Sequence, residues 1–137
     1  MLVLLIEIAG QLYCIRARSV VEVIPRVPLQ PVPHAPMSLA GLLHYRSEVI
    51  PVLDLRAIIA RQPSDAYLST RIAVVDIGKR LGLVCERLTE ALEIDEAAIA
   101  PAPVSLEAAP WLGGVLMHDG AVARELLIEH FTVEAVA

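Results

Sequence analysis

Glycine and proline divide this chain into short aliphatic segments, and this punctuation limits the possible folds more than any other feature. Seven glycines and ten prolines are spread over 137 residues, and no stretch carries a long helical periodicity. About ten segments have the length and the aliphatic, β-branched composition that are typical of strands. Many short strands without a long helix indicate an all-β fold, either a barrel or a sandwich.

Three pairs of segments predict β-hairpins, because the two members of each pair are separated by a short turn-forming stretch. The pairs are residues 2–8 with 12–15, 71–77 with 81–85, and 115–118 with 121–128. In the last pair the turn is Asp119-Gly120, a dipeptide in which both positions accept a positive φ. These hairpins supply more than half of the strands that we expect.

The remaining segments predict two more strands and two single helical turns. Residues 20–24 predict a short strand that Pro25 ends, and residues 89–94 predict another strand later in the chain. Residues 37–43 are expected to make one helical turn that is broken at its glycine. Residues 95–99 are expected to make another, because they begin with an aspartate suited to an N-cap.

The two halves of the chain resemble each other. Ile6-Glu7-Ile8 before Gly10 matches Val75-Asp76-Ile77 before Gly78, an offset of 69 residues between the acidic positions. Val21-Glu22-Val23 matches Thr89-Glu90-Ala91 at an offset of 68 residues. A nearly constant offset of about half the chain predicts two similarly built β-units.

Length and charge exclude several classes of protein. A chain of 137 residues is expected to form a single domain over residues 1–137. The net charge of -5 and the absence of a basic cluster beyond Lys79-Arg80 argue against binding to nucleic acid or direct contact with a membrane. The apolar run at residues 1–6 is interrupted by Glu7 and has no cationic flank, so we expect neither a signal peptide nor a membrane span, and a cytoplasmic location.

The residues that usually carry chemistry are not arranged for it. Cys14, Cys85, His34 and His44 show no ligand spacing, so no metal and no cofactor are expected, and both cysteines are expected to be reduced and buried. The serines lack a nucleophile elbow, and the segment at residues 78–82 lacks the ending of a phosphate-binding loop. The sequence therefore predicts a protein that is not an enzyme.

One block combines a turn, a lone cation and a strand. In residues 48–56 the side chains alternate between an apolar face and a face that is apolar in the middle and charged at both ends, which predicts a strand through Leu55 and Arg56 that is buried along most of its length. Pro51 cannot donate to a ladder, so this strand is an edge, begins late or carries a bulge. Arg46 lies at the turn before it. Its guanidinium would either clamp Asp54 or Glu48 internally or present its donors to a partner.

This block resembles the signature of the CheW-like adaptor family, in which a glycine, a short apolar run, Asn-Leu-Arg-Gly and an apolar Pro-Val-x-Asp-Leu strand follow one another. The matching residues are Gly41, Arg46, Pro51, Val52, Asp54 and Leu55. Further family-like segments follow in the family's order: Val20-Val21-Glu22-Val23, Leu83-Val84, Glu90-Ala91-Leu92, residues 99–103 and Trp111-Leu112-Gly113-Gly114. The resemblance covers nearly the whole chain.

The resemblance implies an all-β fold of two intertwined five-stranded SH3-like barrels with one or two short helical turns. It also implies a non-enzymatic adaptor that couples the cytoplasmic tip of a methyl-accepting chemoreceptor to the regulatory domain of a CheA-type histidine kinase within membrane-associated receptor arrays. Arg46, Glu22, Val20 and Gly41 would be the residues that bind receptor or kinase. Two alternatives stay open: a small-molecule-sensing β-barrel, and a small enzyme that uses a cysteine thiol.

The chain departs from the family signature at several positions. Ser47 stands in place of the usual glycine after the arginine, Tyr45 in place of a common leucine, and Cys85-Glu86 in place of Val-Asp. Serine lacks the access of glycine to positive φ, so a different turn is expected. Several segments, including Leu42-Leu43-His44-Tyr45-Arg46, are more similar to adaptors of alternative, surface-sensing (Wsp-type) chemosensory systems than to flagellar ones.

Overall fold

A computed structural model of the chain describes residues 1–65, 67–102 and 109–132. The described part is built mainly of β-strands joined by short turns. In chain order they are β1 (Leu2–Ile8), β2 (Gln11–Arg16), β3 (Val20–Pro25), β4 (Leu39–Tyr45), β5 (Glu48–Asp54), β6 (Arg71–Asp76), β7 (Arg80–Cys85), β8 (Arg87–Glu93), β9 (Ile99–Ala100), β10 (Leu112–His118) and β11 (Ala121–Leu126). Pro103 and Pro110 predict a loop between them, and its residues 103–108 lie outside the described residues.

The strands form two sheets that exchange segments. The sheet that we call the middle barrel has the order β3-β6-β7-β5-β4, and the sheet that we call the terminal barrel has the order β8-β1-β2-β11-β10-β9. Strand β3 follows β2 in sequence but pairs with β6, while β8 follows β7 but pairs with β1. The middle barrel therefore contains β3, which follows the β1–β2 hairpin of the terminal barrel. The terminal barrel contains β8, which follows the β6–β7 hairpin of the middle barrel. The predicted fold class, intertwined SH3-like barrels, is confirmed, and the three predicted hairpins are present.

The helical content differs from the prediction. The segment Leu55–Ala60 is an α-helix, α1, so the predicted strand ends at Asp54 and the extension through Leu55 and Arg56 is wrong. The reason is local: the Asp54 carboxylate accepts the amide N–H of Arg56 at 3.0 Å and of Ala57 at 3.4 Å, which caps the helix. Three 3₁₀ turns are also present, at Ala17–Ser19, Glu96–Ala98 and Ile128–His130.

The helical turn predicted at residues 37–43 is also wrong. Most of this segment belongs to β4, which pairs with β5 from Leu39 opposite Leu53 to Tyr45 opposite Glu48. Tertiary pairing overrides the local propensity here, because the alternate side chains Leu43 and Tyr45 are buried in the middle barrel. The turn predicted at residues 95–99 is confirmed as Glu96–Ala98, although the Asp95 side chain makes no capping bond.

Pro51 is accommodated by the way in which β5 pairs. Pro51 stands opposite Leu42 of β4, while the parallel pairing of β5 with β7 covers only Val52 to Asp54. The strand therefore begins late on the β7 side, where the missing N–H of proline would otherwise leave a gap in the ladder.

One hydrophobic core joins the two barrels. Leu4 and Ile6 of β1 pack in the same buried cluster as Leu53 of β5 and Leu83 of β7. Behind β11, the ring of the fully buried Phe131 lies 5.9 Å from that of Trp111. Burial of each such side chain stabilises the fold by about 1.5–3 kcal/mol, so the two barrels are mutually dependent.

Candidate interaction surface

The turn between β4 and β5 presents the arginine of the signature block. Tyr45 and Glu48 are the last pair of the hairpin, so Arg46 and Ser47 form a two-residue turn. Arg46 has φ 55°, in the left-handed region, and Ser47 is not among the positive-φ residues. The turn therefore places the backbone strain on the arginine, and serine is tolerated after it.

The Arg46 guanidinium contacts two neighbours. Its central carbon lies 5.0 Å from the centroid of the Tyr45 ring, within the range of a cation–π contact. Its Nη2 lies 3.5 Å from Oε1 of Glu22, in an ion pair in which the arginine side chain is 63% exposed. The structure therefore brings together two of the predicted site residues, Arg46 and Glu22, from strands that are far apart in sequence.

The internal clamp to Asp54 or Glu48 is not formed. Asp54 is committed to capping α1 and to Ser64, whose hydroxyl donates to it at 2.6 Å. Glu48 pairs with Arg80 at 3.0 Å. An exposed ion pair such as that of Arg46 with Glu22 contributes about 0–1 kcal/mol, so Arg46 is weakly held and most of its donors face solvent.

Tyr45 fixes the carboxylate beside Arg46, and the sequence reasoning missed this role. Its buried ring brings the hydroxyl within 2.5 Å of Oε1 of Glu22, to which it donates. The hydrogen bond to Glu22 raises the pKa of Tyr45. This contact joins β4 to β3, the two edge strands of the middle barrel, and so closes the barrel. The signal was a tyrosine where the family commonly has leucine, directly before the arginine.

The other two predicted site residues lie behind this surface. Val20 is half-buried, stands opposite Val75 and packs against the core that the barrels share. Gly41 is buried in β4 opposite Val52, four residues before Tyr45, which is about 13 Å along a strand. A Cβ at Gly41 would come within 2.8 Å of the Gln30 carbonyl oxygen, so this glycine lets residues 29–30 lie against β4.

A second polar contact links the two barrels near α1. Glu86 lies between β7 and β8, accepts from Nη1 of Arg56 at 2.6 Å, and accepts from the Ala9 amide at 2.9 Å. It therefore joins the helix of the middle barrel to the first turn of the terminal barrel. From the sequence alone, Glu86 is a departure from the family pattern and a solvent-facing strand position, whereas in the structure its side chain is only 17% exposed.

Neither thiol is prepared for nucleophilic chemistry. Burial raises the pKa of Cys14 to about 11 and that of Cys85 to about 12, so both are protonated at neutral pH. Both are free and buried. Within residues 1–65, 67–102 and 109–132, no group of three His, Cys, Asp or Glu side chains has the arrangement of a metal site.

Among the cavities that open on the described surface, two are small. One of about 210 Å³ is lined by Pro51, Leu53, Leu81 and the cations Lys79 and Arg80, together with Thr132. The other, of about 240 Å³, is lined by residues of β2, β10 and β11. Pockets for small molecules usually have about 300–1,000 Å³. In the part of the chain that the structure describes, no helix is long and apolar enough to cross a membrane.

Proteins of two bacteria are similar to this chain in sequence. The chain is 28% identical over 98 residues to a probable chemotaxis protein CheW of Rhizobium etli, which covers 71% of this chain and 63% of the relative. It is 31% identical over 106 residues to protein FrzA of Myxococcus xanthus, covering 76% of this chain and 66% of the relative. The chain thus spans somewhat under two thirds of the length of these relatives.

A solved structure has the same fold. The crystal structure of the scaffolding protein CheW from Thermoanaerobacter tengcongensis superimposes with a TM-score of 0.84 at 24% identity, over 96% of this chain and 88% of the other. The pattern that defines the CheW-like domain matches residues 2–134, which include both barrels and the Arg46 turn. Because this match extends over almost the entire sequence, the chain belongs to the CheW-like domain family.

Proposed function

We propose that this chain is a non-enzymatic adaptor that couples the cytoplasmic tip of a methyl-accepting chemoreceptor to the regulatory domain of a CheA-type histidine kinase. Family membership and relatives named as chemotaxis proteins support this role. The observation that carries it is the exposed, weakly held guanidinium of Arg46 on the β4–β5 turn. Arginine is enriched at protein interfaces, where its planar fork of donors binds carboxylates and carbonyls.

The residues around Arg46 have separate roles in this proposal. Arg46 contacts the partner, while Glu22 and the Tyr45 ring contact its guanidinium and reduce the conformational entropy that the side chain loses on binding. Val20 and Gly41 support this surface without contacting the partner. Val20 packs β3 on the core, and Gly41 allows residues 29–30 to lie against β4. The exposed Val49, which follows the turn, adds an apolar contact beside the cation.

The two partners would use different parts of the molecule. In our proposal one barrel packs against the regulatory domain of the kinase, and the groove between the barrels receives the receptor tip. The apolar cavity bounded by Pro51, Leu53 and Leu81 lies where the segment after β11 reaches the middle barrel, which supports this second contact. Receptor states that bind the assembly differently would then shift the population of active kinase, with no chemistry in this chain.

The location and the type of pathway follow from these partners. The chain would lie in the cytoplasm, held at the membrane through the receptor array, because its net charge of -5 disfavours direct contact with anionic lipids. Assignment to a surface-sensing (Wsp-type) system stays a prediction from the segments around Arg46.

The two alternatives are less favoured by the geometry. A thiol enzyme requires an accessible thiolate, whereas Cys14 and Cys85 are buried and their pKa values are raised to about 11 and about 12. The two cavities described above, of about 210 and about 240 Å³, are smaller than the roughly 300–1,000 Å³ of ordinary ligand pockets, so neither is suited to a small-molecule sensor.

Co-sedimentation tests the adaptor role. The chain is mixed with the receptor fragment and the kinase encoded by its genomic neighbours, first separately and then together. We expect wild type to join both partners in one pelleted complex, and we expect the kinase to pellet less efficiently when the chain is omitted. Binding to neither partner, or to one alone under all conditions, would refute the proposal. A ligand-dependent rise in melting temperature without any protein partner would favour the sensor instead.

A further inference from the structure

The two barrels resemble each other around the β4–β5 and β10–β11 hairpins. In the middle barrel, Tyr45 and Glu48 flank the turn; in the terminal barrel, His118 and Ala121 flank it. Four residues before each turn is a glycine, Gly41 or Gly114, where a Cβ would collide with the carbonyl oxygen of an added segment. The β4–β5 and β10–β11 turns are therefore equivalent positions.

The strands that face these turns are also equivalent. Glu22 of β3 stands opposite Val74 of β6, and Glu90 of β8 stands opposite Leu5 of β1. Each pairing has its register shift directly beside the glutamate, between Val20 and Glu22 in one barrel and between Leu5 and Ile6 in the other. The bulge therefore orients the glutamate side chain toward the equivalent hairpin in each barrel.

Both glutamates make the same closing contact. Oε1 of Glu22 accepts from the Tyr45 hydroxyl at 2.5 Å, and Oε1 of Glu90 lies 2.8 Å from Nε2 of His118. In each barrel the contact joins the strand at one edge of the sheet, β3 or β8, to the β4–β5 or the β10–β11 hairpin. The geometry around Arg46 is therefore present twice in the molecule.

The charged residue at the β10–β11 turn has the opposite sign to Arg46 at the β4–β5 turn. Asp119 occupies the position of Arg46, has a similar left-handed φ of 48°, and its side chain is 90% exposed. The residues beside it are apolar: Met117 and Val122 are cross-strand neighbours and are 63% and 54% exposed. An acidic tip with an exposed methionine and valine is more apolar than its counterpart, where His44 pairs with Val49.

We propose that this terminal tip, formed by Met117, Asp119, Val122 and Glu90, is a docking surface for a protein segment that presents an arginine or lysine beside an aliphatic side chain. The cation would pair with Asp119, and the aliphatic group would cover Val122 and the adaptable side chain of Met117. The chain's own Arg46 is a weaker candidate, because it already contacts Glu22 and the Tyr45 ring. This inference does not depend on the adaptor role.

Two synthetic peptides test the proposal on the full chain. The probes are acetyl-Leu-Arg-Val-Arg-Leu-amide and its counterpart with glutamate at both arginine positions, titrated into ¹⁵N-labelled protein. We expect the arginine peptide to shift the amide signals of residues 117–122 and of Glu90, and the glutamate peptide to bind at least fivefold more weakly. Equal affinities, no binding of either peptide at millimolar concentration, or shifts confined to other surfaces would overturn the proposal.

Two variants with the same change in charge complete the test. Asp119→Asn keeps a residue that tolerates positive φ, and we expect it to bind the arginine peptide two- to fivefold more weakly, as for loss of one surface ion pair. Glu129→Gln removes one exposed charge beyond the other end of β11 and is expected to bind like wild type. Equal affinity of the Asn variant and wild type would contradict the proposal. Concentration-dependent shifts at both Arg46 and Asp119 without peptide would assign the tip to a second copy of the chain and overturn the separate partner.

Discussion

Replacement of Asp54 by alanine tests whether this signature residue is structural. Asp54 is buried, and its carboxylate caps α1 through the Arg56 and Ala57 amides. It also accepts from the Ser64 amide at 2.7 Å and from the Ser64 hydroxyl at 2.6 Å, which ties the loop after α1 to the end of β5. Removing the carboxylate leaves four donors without this acceptor.

The expected loss follows from these contacts. Removal of an N-cap costs about 1 kcal/mol. The two bonds from Ser64 to a charged acceptor would contribute about 1.5–3 kcal/mol each if they were fully buried, but Ser64 is only half-buried and regains water, so we assign about 1 kcal/mol to each. The total of about 3 kcal/mol corresponds to a fall in melting temperature of roughly 10 °C for a domain of this size.

Urea unfolding of wild type, Asp54→Ala and Ser64→Ala measures these terms. We expect Ser64→Ala, which removes only the hydroxyl bond, to lose about 1 kcal/mol, and the aspartate variant to lose about three times as much. Binding of the folded aspartate variant to receptor and kinase is expected to match that of wild type. A loss below about 1 kcal/mol for Asp54→Ala, or equal losses for both variants, would refute the capping argument.

Three further predictions concern the glycines, the thiols and the tyrosine. Gly41→Ala and Gly114→Ala should each destabilise by about 1–3 kcal/mol in urea unfolding, because the added Cβ meets a backbone carbonyl; unchanged stability would contradict the close approach. Cys14 and Cys85 should react with iodoacetamide only after unfolding, since burial raises their pKa values to about 11 and about 12; rapid labelling of native protein would contradict this. The raised pKa of Tyr45 predicts a stabilisation that is complete below pH 10 and is lost as pH rises through the folded pKa; the stability gap between wild type and Tyr45→Phe should therefore shrink above pH 10, and a constant gap would contradict it.

The hairpins were predictable because their information is local. Alternating aliphatic residues and a turn dipeptide such as Asp119-Gly120 determine strand pairing between neighbours, and both turn residues have the expected positive φ. The internal repeat was predictable from the acidic positions Glu22 and Glu90, which occupy equivalent bulges. These features need no knowledge of distant contacts.

The errors arose where distant contacts or a cap decide the structure. Residues 37–43 were expected to turn, but pairing with β5 and the approach of Gln30 to Gly41 make most of them strand. The helix after Asp54 was missed because alternation of apolar residues continued through Leu55, whereas the capping carboxylate changes the backbone direction. The contact of Tyr45 with Glu22 closes a barrel between edge strands, which no local pattern reveals.

Arg46 is the central residue of the account, and its substitution is the most direct test. Calorimetric titration compares wild type, Arg46→Glu and Arg87→Glu for binding to the receptor fragment and to the kinase regulatory domain. Arg87 is exposed on β8, so its substitution is a matched control for the change in charge. We predict that Arg46→Glu weakens at least one of the two interactions tenfold or more, as for an interface hot spot, while Arg87→Glu stays within twofold of wild type. Affinities of Arg46→Glu that equal those of wild type for both partners would contradict the account.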